Sequence, residues 1–277
     1  MDLINLEQQA IHGTGFGLLP DFLLSTVVWT AFFIFCFNYP DLSEYKMTHK
    51  VNLDMRNRMV SFVHGVLILL MSAYHSLFTF TECGDATNSI EYFVLVLSGG
   101  YFTYDFLAMA WFRLLDVDMA VHHLLCITGM LISLGQNVGT GYIVLGLFVA
   151  EVSNPAMHIR IMLRNMGKRY TRAYEVAEYT YFITFFFGRV VIGHPAVYAS
   201  VTCPALSKFS QFVSLGICAQ SYLFLYRMYF ILNSRIKETA ERRQKKIKIS
   251  WFEPIPTETL KDCQFYLKGQ KTKEKLP

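Results

Sequence analysis

Charge is scarce in this chain. Only 17% of its 277 residues are Asp, Glu, Lys or Arg, against about 25% in ordinary soluble domains. Hydrophobic residues make up 53%, there are 24 Phe and 16 Tyr, and the mean hydropathy is +0.32. A soluble fold of this length has no use for so much apolar surface, whereas a multi-span membrane protein does. The motifs of several chemistries are missing too. There is no phosphate-binding GxxxxGK loop, no Rossmann fingerprint and no GxSxG elbow. The six cysteines show no CxxC spacing and no HxxxH pair occurs, so neither a metal nor a resident cofactor is expected. No N-terminal stretch reads as a cleavable signal, and the first ten residues hold two acids and no base, unlike a transit peptide.

Apolar runs predict seven spans: residues 18–38, about 59–80, 92–112, about 119–135, 138–157, about 174–193 and 209–232. Each must be helical, because lipid offers no partner for open backbone groups. The period-two alternation of an outer-membrane barrel is missing. Basic residues gather in every second connection. Lys46, Lys50, Arg56 and Arg58 precede the second span, Arg113 the fourth, and Lys168, Arg169 and Arg172 the sixth. The other connections carry Glu82, Asp85, Glu91 and Lys208. The positive-inside rule then puts the N-terminus in the lumen and the C-terminus in the cytosol.

The expected architecture is an all-α, polytopic transmembrane bundle of about seven spans. A lumenal segment covers residues 1–17, the membrane domain 18–232 and a basic cytosolic tail 233–277. The Lys/Arg-rich stretch from Ser234 to Ser250 suits anionic lipid, and nucleic acid is not an expected partner. Lys273 and Lys275 match the dilysine signal of endoplasmic reticulum membrane proteins; the mitochondrial inner membrane is the alternative. Cys83 and Cys203 both fall in lumenal loops, where a disulfide can form.

Several polar residues fall inside the apolar segments. At about 1.5 Å per residue, His64, Asp105, His122, His123, Glu151 and Arg227 share the cytosolic half, with His158 at its edge. Such groups are costly in hydrocarbon and face the bundle interior. Adjacent helical residues diverge by about 100°, so His122 and His123 are not expected to face one pocket together. The pair reads either as interhelical hydrogen bonding or as a base or nucleophile in acyl chemistry. Asp105, beside Tyr101 and Tyr104, either orients an imidazole or ties helices together as a neutral acid. Glu151 opens EVSNP, where Pro155 predicts a bend and Ser153 and Asn154 a polar lining. Ser61 shares a face with His64 at i,i+3, Asn57 reads as a helix cap, Arg189 either snorkels to the outer headgroups or pairs with an acid in the bundle, and Arg227 reads most simply as a snorkelling cytosolic anchor.

Four motifs together resemble those of TLC-domain proteins, the superfamily named for the translocating-chain-associating, Lag1-type and CLN8-type proteins. They are NRMVSFVH at 57–64, GGYFTYD at 99–105, HH at 122–123 and AEVSNP at 150–155. The likeness covers most of residues 20–232 and is greater to the small TLC-domain-containing proteins than to the ceramide synthases. It implies a helical domain with an interior, lipid-accessible cavity. The ceramide synthases of that family move an acyl group from acyl-CoA to a sphingoid amine, using a histidine pair and later aspartates. The histidine pair falls on His122 and His123; the aspartate segment falls near 150–154, where Glu151 is the only carboxylate.

Three functions are expected on these grounds. The first is a lipid-binding cavity serving membrane lipid composition, lined by His64, Ser61, Tyr101, Ser153 and Asn154. The second is acyl transfer from acyl-CoA as a substrate, with His122 or His123 reacting, Asp105 or Glu151 orienting, and Arg58, Arg160 and Arg164 meeting the CoA phosphates. The third is a structural subunit or adaptor packed against partner membrane proteins.

Overall fold

The computed structural model describes residues 17–267. The N-terminal segment up to residue 16, and Lys273 and Lys275 of the dilysine motif, lie outside the described residues. Seven helical segments are long and apolar enough to cross a membrane. They are built from α1 (Leu18–Asn38), α2 (His49–Phe78), α3 (Ser89–Trp111), α4 (Val117–Gln136), α5 (Thr140–Glu151) with α6 (Asn154–Asn165), α7 (Arg172–Phe186) with α8 (Gly193–Thr202), and α9 (Lys208–Gln244). A short α10 (Thr257–Leu260) comes last. No strand occurs among the described residues.

Helix starts are written in local chemistry. Thr48, Asn88, Asp116, Thr171 and Ser207 each accept a backbone N–H in the first turn of the helix they cap. The Thr48 cap begins the second span about ten residues before its apolar run, so Asn57 stands inside α2 and caps nothing. Hydropathy registers only the lipid-facing part of such a helix. The bend expected at Pro155 is present: α5 ends at Glu151 and Pro155 lies in the first turn of α6. Likewise α9 runs unbroken past residue 232 to Gln244.

The outermost span, α1, packs along α3. Gly99 makes this possible, because the Phe22 ring occupies the place a Cβ would take. Trp29, Phe33, Val60, Ile68, Leu95 and Met130 belong to the resulting core. The Arg56 guanidinium donates to the carbonyls of Cys36 (2.8 Å) and Pro40 (2.6 Å), satisfying the end of α1. Among the described residues no span is left without a neighbour.

Each face of the bundle has its own fastening. On one, Glu91 takes hydrogen bonds from Thr81 (2.6 Å), Thr140 (2.6 Å) and the Asn88 backbone (3.1 Å) and contacts His75 Nε2 at 2.7 Å. It is fully buried and ties α2, α3 and α5, so it is a helix-capping clamp rather than the loop charge expected. Cys83 and Cys203 are joined by a disulfide across the same face. On the other face, Glu178 holds Arg160 (2.8 Å) and Arg235 (2.5 Å), and Tyr174 donates to it at 3.0 Å. Arg235 also pairs with Glu238, and Arg242 with Glu175. The basic stretch is therefore not wholly a lipid-facing surface: two of its arginines are buried in ion pairs that fasten α9 to α7. Ser250 and Trp251 offer their carbonyls to the N–H groups of Arg172 and Ala173, so the chain after α9 folds back on the start of α7.

Candidate functional site

Six of the seven spans surround an interior cavity of about 410 Å³; α1 takes no part. Its wall is largely apolar, with polar groups drawn from every surrounding span. Leu114 and Asp116, from the connection between α3 and α4, line one end. No residue of the connections at 79–88, 137–139 or 203–207 does so. The cavity thus reaches a connection on the side that carries the basic residues. Tyr142 and Ala196 stand between the cavity and a shallower depression on the opposite face.

The sequence-selected residues largely meet here. His64, Ser61, Tyr101, Asp105, His122 and His123 line the cavity, as do Glu151, Asn154, His158 and Arg58. His64 stacks on Tyr101 with centroids 3.7 Å apart and lies 3.4 Å from the Ser98 hydroxyl. Glu151 accepts from Asn154 at 2.9 Å, and Arg58 pairs with Asp54 at 2.9 Å. Three expectations need correction. Ser153 is buried away from the cavity, with its hydroxyl turned back to the Ala150 carbonyl (3.4 Å). Arg160 is held by Glu178 and does not line the cavity, so it offers nothing to a phosphate there. Both His122 and His123 line the same cavity, although their partners differ. Arg164 is exposed in the last turn of α6.

The His123 hydrogen bonds can be assigned atom by atom. Nδ1 lies 2.8 Å from the Met119 carbonyl, which can only accept, so Nδ1 carries a proton. Nε2 lies 2.7 Å from Asp105 Oδ2. A neutral imidazole facing an ionised carboxylate there would leave two acceptors opposed. The pair therefore holds one further proton, shared between Nε2 and Oδ2. Asp105 Oδ1 accepts from Asn57 at 2.5 Å, and Asn57 in turn accepts from Tyr104 at 2.7 Å. The chain from Tyr104 to Met119 is closed, and His123 has no nitrogen free for a substrate.

His122 is different. Its Nδ1 lies 3.1 Å from Gln220 Oε1, and the Cys126 sulfur lies beside the ring, 3.8 Å from Nε2 and 3.9 Å from Nδ1. Neither Gln220 nor Cys126 stands out in the sequence; their spacing from His122, i,i+4 for Cys126 and a different span for Gln220, carries no motif.

Arg189 is the least legible residue. It lies in a six-residue π-helical turn, Phe187–Ile192, that joins α7 to α8. Such a turn shifts the helical register and re-aims the side chains beyond it, often at functional sites. Gly188 permits it: a Cβ there would meet the Val149 carbonyl oxygen at 2.8 Å. Arg189 consequently lines the cavity, where Nη1 donates to Ser221 at 3.1 Å. It is not an outer headgroup anchor. Arg227, also expected as an anchor, pairs with Asp118.

Among the described residues no group of three or more His, Cys, Asp or Glu side chains converges to hold a metal ion. A family model described as the TLC domain, of the TRAM, LAG1 and CLN8 type, matches residues 54–236, more than half of the chain. The match begins in α2 and ends in α9, so it takes in every span that lines the cavity.

The Asp105 geometry makes a discriminating pair of substitutions. In Asp105→Asn the amide can still accept from Asn57 and donate to a neutral His123 Nε2, so the unfolding temperature in detergent is expected to stay close to wild type. Asp105→Ala leaves both partners buried and unpaired, and is expected to cost roughly 3 kcal/mol. Equal behaviour of the two variants in thermal unfolding would contradict the assignment.

Proposed function

The chain belongs to the TLC-domain family, and from that premise we propose that it binds a membrane lipid or acyl chain in the interior cavity and so serves membrane lipid composition. The cavity itself carries this reading. Its volume of about 410 Å³ lies within the roughly 300–1,000 Å³ of small-molecule sites, and its mostly apolar wall with a few convergent polar groups is their usual make-up. Within the family we place the chain nearer the small TLC-domain-containing proteins than the ceramide synthases, because Glu151 is the one carboxylate of the 150–154 segment.

A second reading is acyl transfer from an acyl thioester such as acyl-CoA. The observation favouring it is His122, whose Nε2 faces the cavity while Nδ1 is held by Gln220. A base oriented through its far nitrogen is what acyl chemistry requires. His123 with Asp105 would hold the wall on which His122 stands. Arg58, at the cavity lining, is placed to meet a phosphate at the mouth.

We also place the protein in the endoplasmic reticulum membrane with the C-terminus in the cytosol. Two observations support this orientation. Basic connections fall on one face, and the Cys83–Cys203 disulfide lies on the other, as an oxidising lumen would allow. The end of the cavity lined by Leu114 and Asp116 then lies toward the cytosolic side, where acyl-CoA resides.

Gly146 lines the cavity and a Cβ there would meet nothing within 4 Å. Gly146→Phe is therefore expected to fill the space, lower the lipid retained in native mass spectrometry and leave the unfolding temperature nearly unchanged. Undiminished lipid occupancy would remove the cavity reading. For acyl transfer, His122→Ala is expected to alter the cellular lipid profile at normal protein abundance, and an unaltered profile would count against catalysis. A tag placed after Pro277 is expected to be digested by protease in sealed microsomes; its protection would invert the orientation.

A further inference from the structure

Cys126 lies one helical turn after His122 on α4, and both side chains line the cavity. The thiol sulfur is 3.8 Å from His122 Nε2. Gln220 determines which nitrogen is free. The Asp118 carbonyl can only accept, so the Gln220 atom 2.8 Å from it is the amide nitrogen. That turns Gln220 Oε1 toward His122 Nδ1 at 3.1 Å, which must therefore donate. Nε2 keeps its lone pair, and the thiol lies beside the ring, 3.8 Å from Nε2 and 3.9 Å from Nδ1, so that a rotation of the Cys126 side chain or of the ring aligns the two. A nucleophile, a base and an amide that fixes the base's tautomer form one continuous chain.

A separate observation points to the chemistry of the ligand. Arg189 lines the same cavity and makes no ion pair among the described residues. Its Nε is buried without a hydrogen-bond partner. A cation in hydrocarbon is costly unless something negative faces it. An oxygen bearing developing negative charge would meet that need.

We propose that Cys126 is a covalent acyl acceptor: it takes the acyl group of an acyl thioester to form a protein thioester, with His122 as base, Gln220 as positioning residue and Arg189 facing the carbonyl oxygen. The proposal rests on the lipid-cavity reading above and deepens it. As the sulfur attacks the donor carbonyl carbon, His122 Nε2 takes the thiol proton. The new carbon–sulfur bond forms while the carbonyl oxygen carries the negative charge toward Arg189. Collapse breaks the donor's carbon–sulfur bond, and His122 returns the proton to the leaving thiol. The net change is Cys126–SH plus donor thioester giving Cys126 thioester plus free donor thiol, with no oxidant or reductant. An acceptor amine or hydroxyl then takes the acyl group, its proton passing through His122 back to the sulfur. Cys218 also lines the cavity but has no histidine hydrogen-bonded to it among the described residues, which makes it the internal control.

The test uses the full-length protein in lipid nanodiscs with palmitoyl-CoA. Intact-mass and peptide mass spectrometry are expected to show one acyl adduct on Cys126, released by neutral hydroxylamine as a thioester should be. Cys126→Ala is expected to abolish the adduct while keeping the unfolding temperature. His122→Ala is expected to slow acylation about 100-fold. Gln220→Leu is expected to slow it too and to shift its pH–rate profile, which a merely structural role would not do. An adduct on His122, His123 or Cys218, an adduct on Cys126 indifferent to His122→Ala, or no adduct while lipid stays bound would overturn the proposal and leave the cavity reading standing. Absence of both adduct and lipid would overturn both.

Discussion

The buried contact between Asp105 and His123 holds the site in shape. Asp105 on α3 reaches His123 on α4 through one oxygen and Asn57 on α2 through the other. Three consecutive spans are thereby set at fixed depth. In a bilayer these groups have no water to turn to, so the network stays intact only when every donor and acceptor in it is paired. That completeness is also why His123 has little chemistry left to do. Its neighbour His122, turned by the helix to another partner, keeps a nitrogen that is not committed to structure.

The two histidines therefore divide the work that their adjacency suggests they share. One is part of the frame, and the other faces the space that the frame encloses. Glu91 and Glu178 serve at the two faces as Asp105 serves between them: each is a buried carboxylate whose oxygens are taken by groups from other helices. The interior acids of this bundle mainly fasten helices together. Glu151 differs, being bound within its own bend by Asn154 and open to the cavity.

Much of this is legible in the sequence. Apolar runs yield the number of the spans, because the bilayer imposes their length and composition directly. Depth counting brings His64, Asp105, His122, His123 and Glu151 to one region, and they do share one cavity. Partner choice is what escapes. Glu91 looks like a loop acid because its burial depends on Thr140 and His75 arriving from other helices. Arg160 looks available because Glu178, on another span, is invisible to local spacing. Arg189 looks like an outer anchor if the helix is taken as regular; the π-helical turn that re-aims it has no simple hydropathy signature. Gln220 and Cys126 carry no motif at all, since their distinction is only that both lie against the His122 ring.

The two ends of the bundle are unlike. At one, the Cys83–Cys203 bond and the Glu91 clamp lock the connections together, and none of those connections reaches the cavity. At the other, the connection holding Leu114 and Asp116 lines the cavity. The covalent tie at the first end leaves any spreading of the helices to the second.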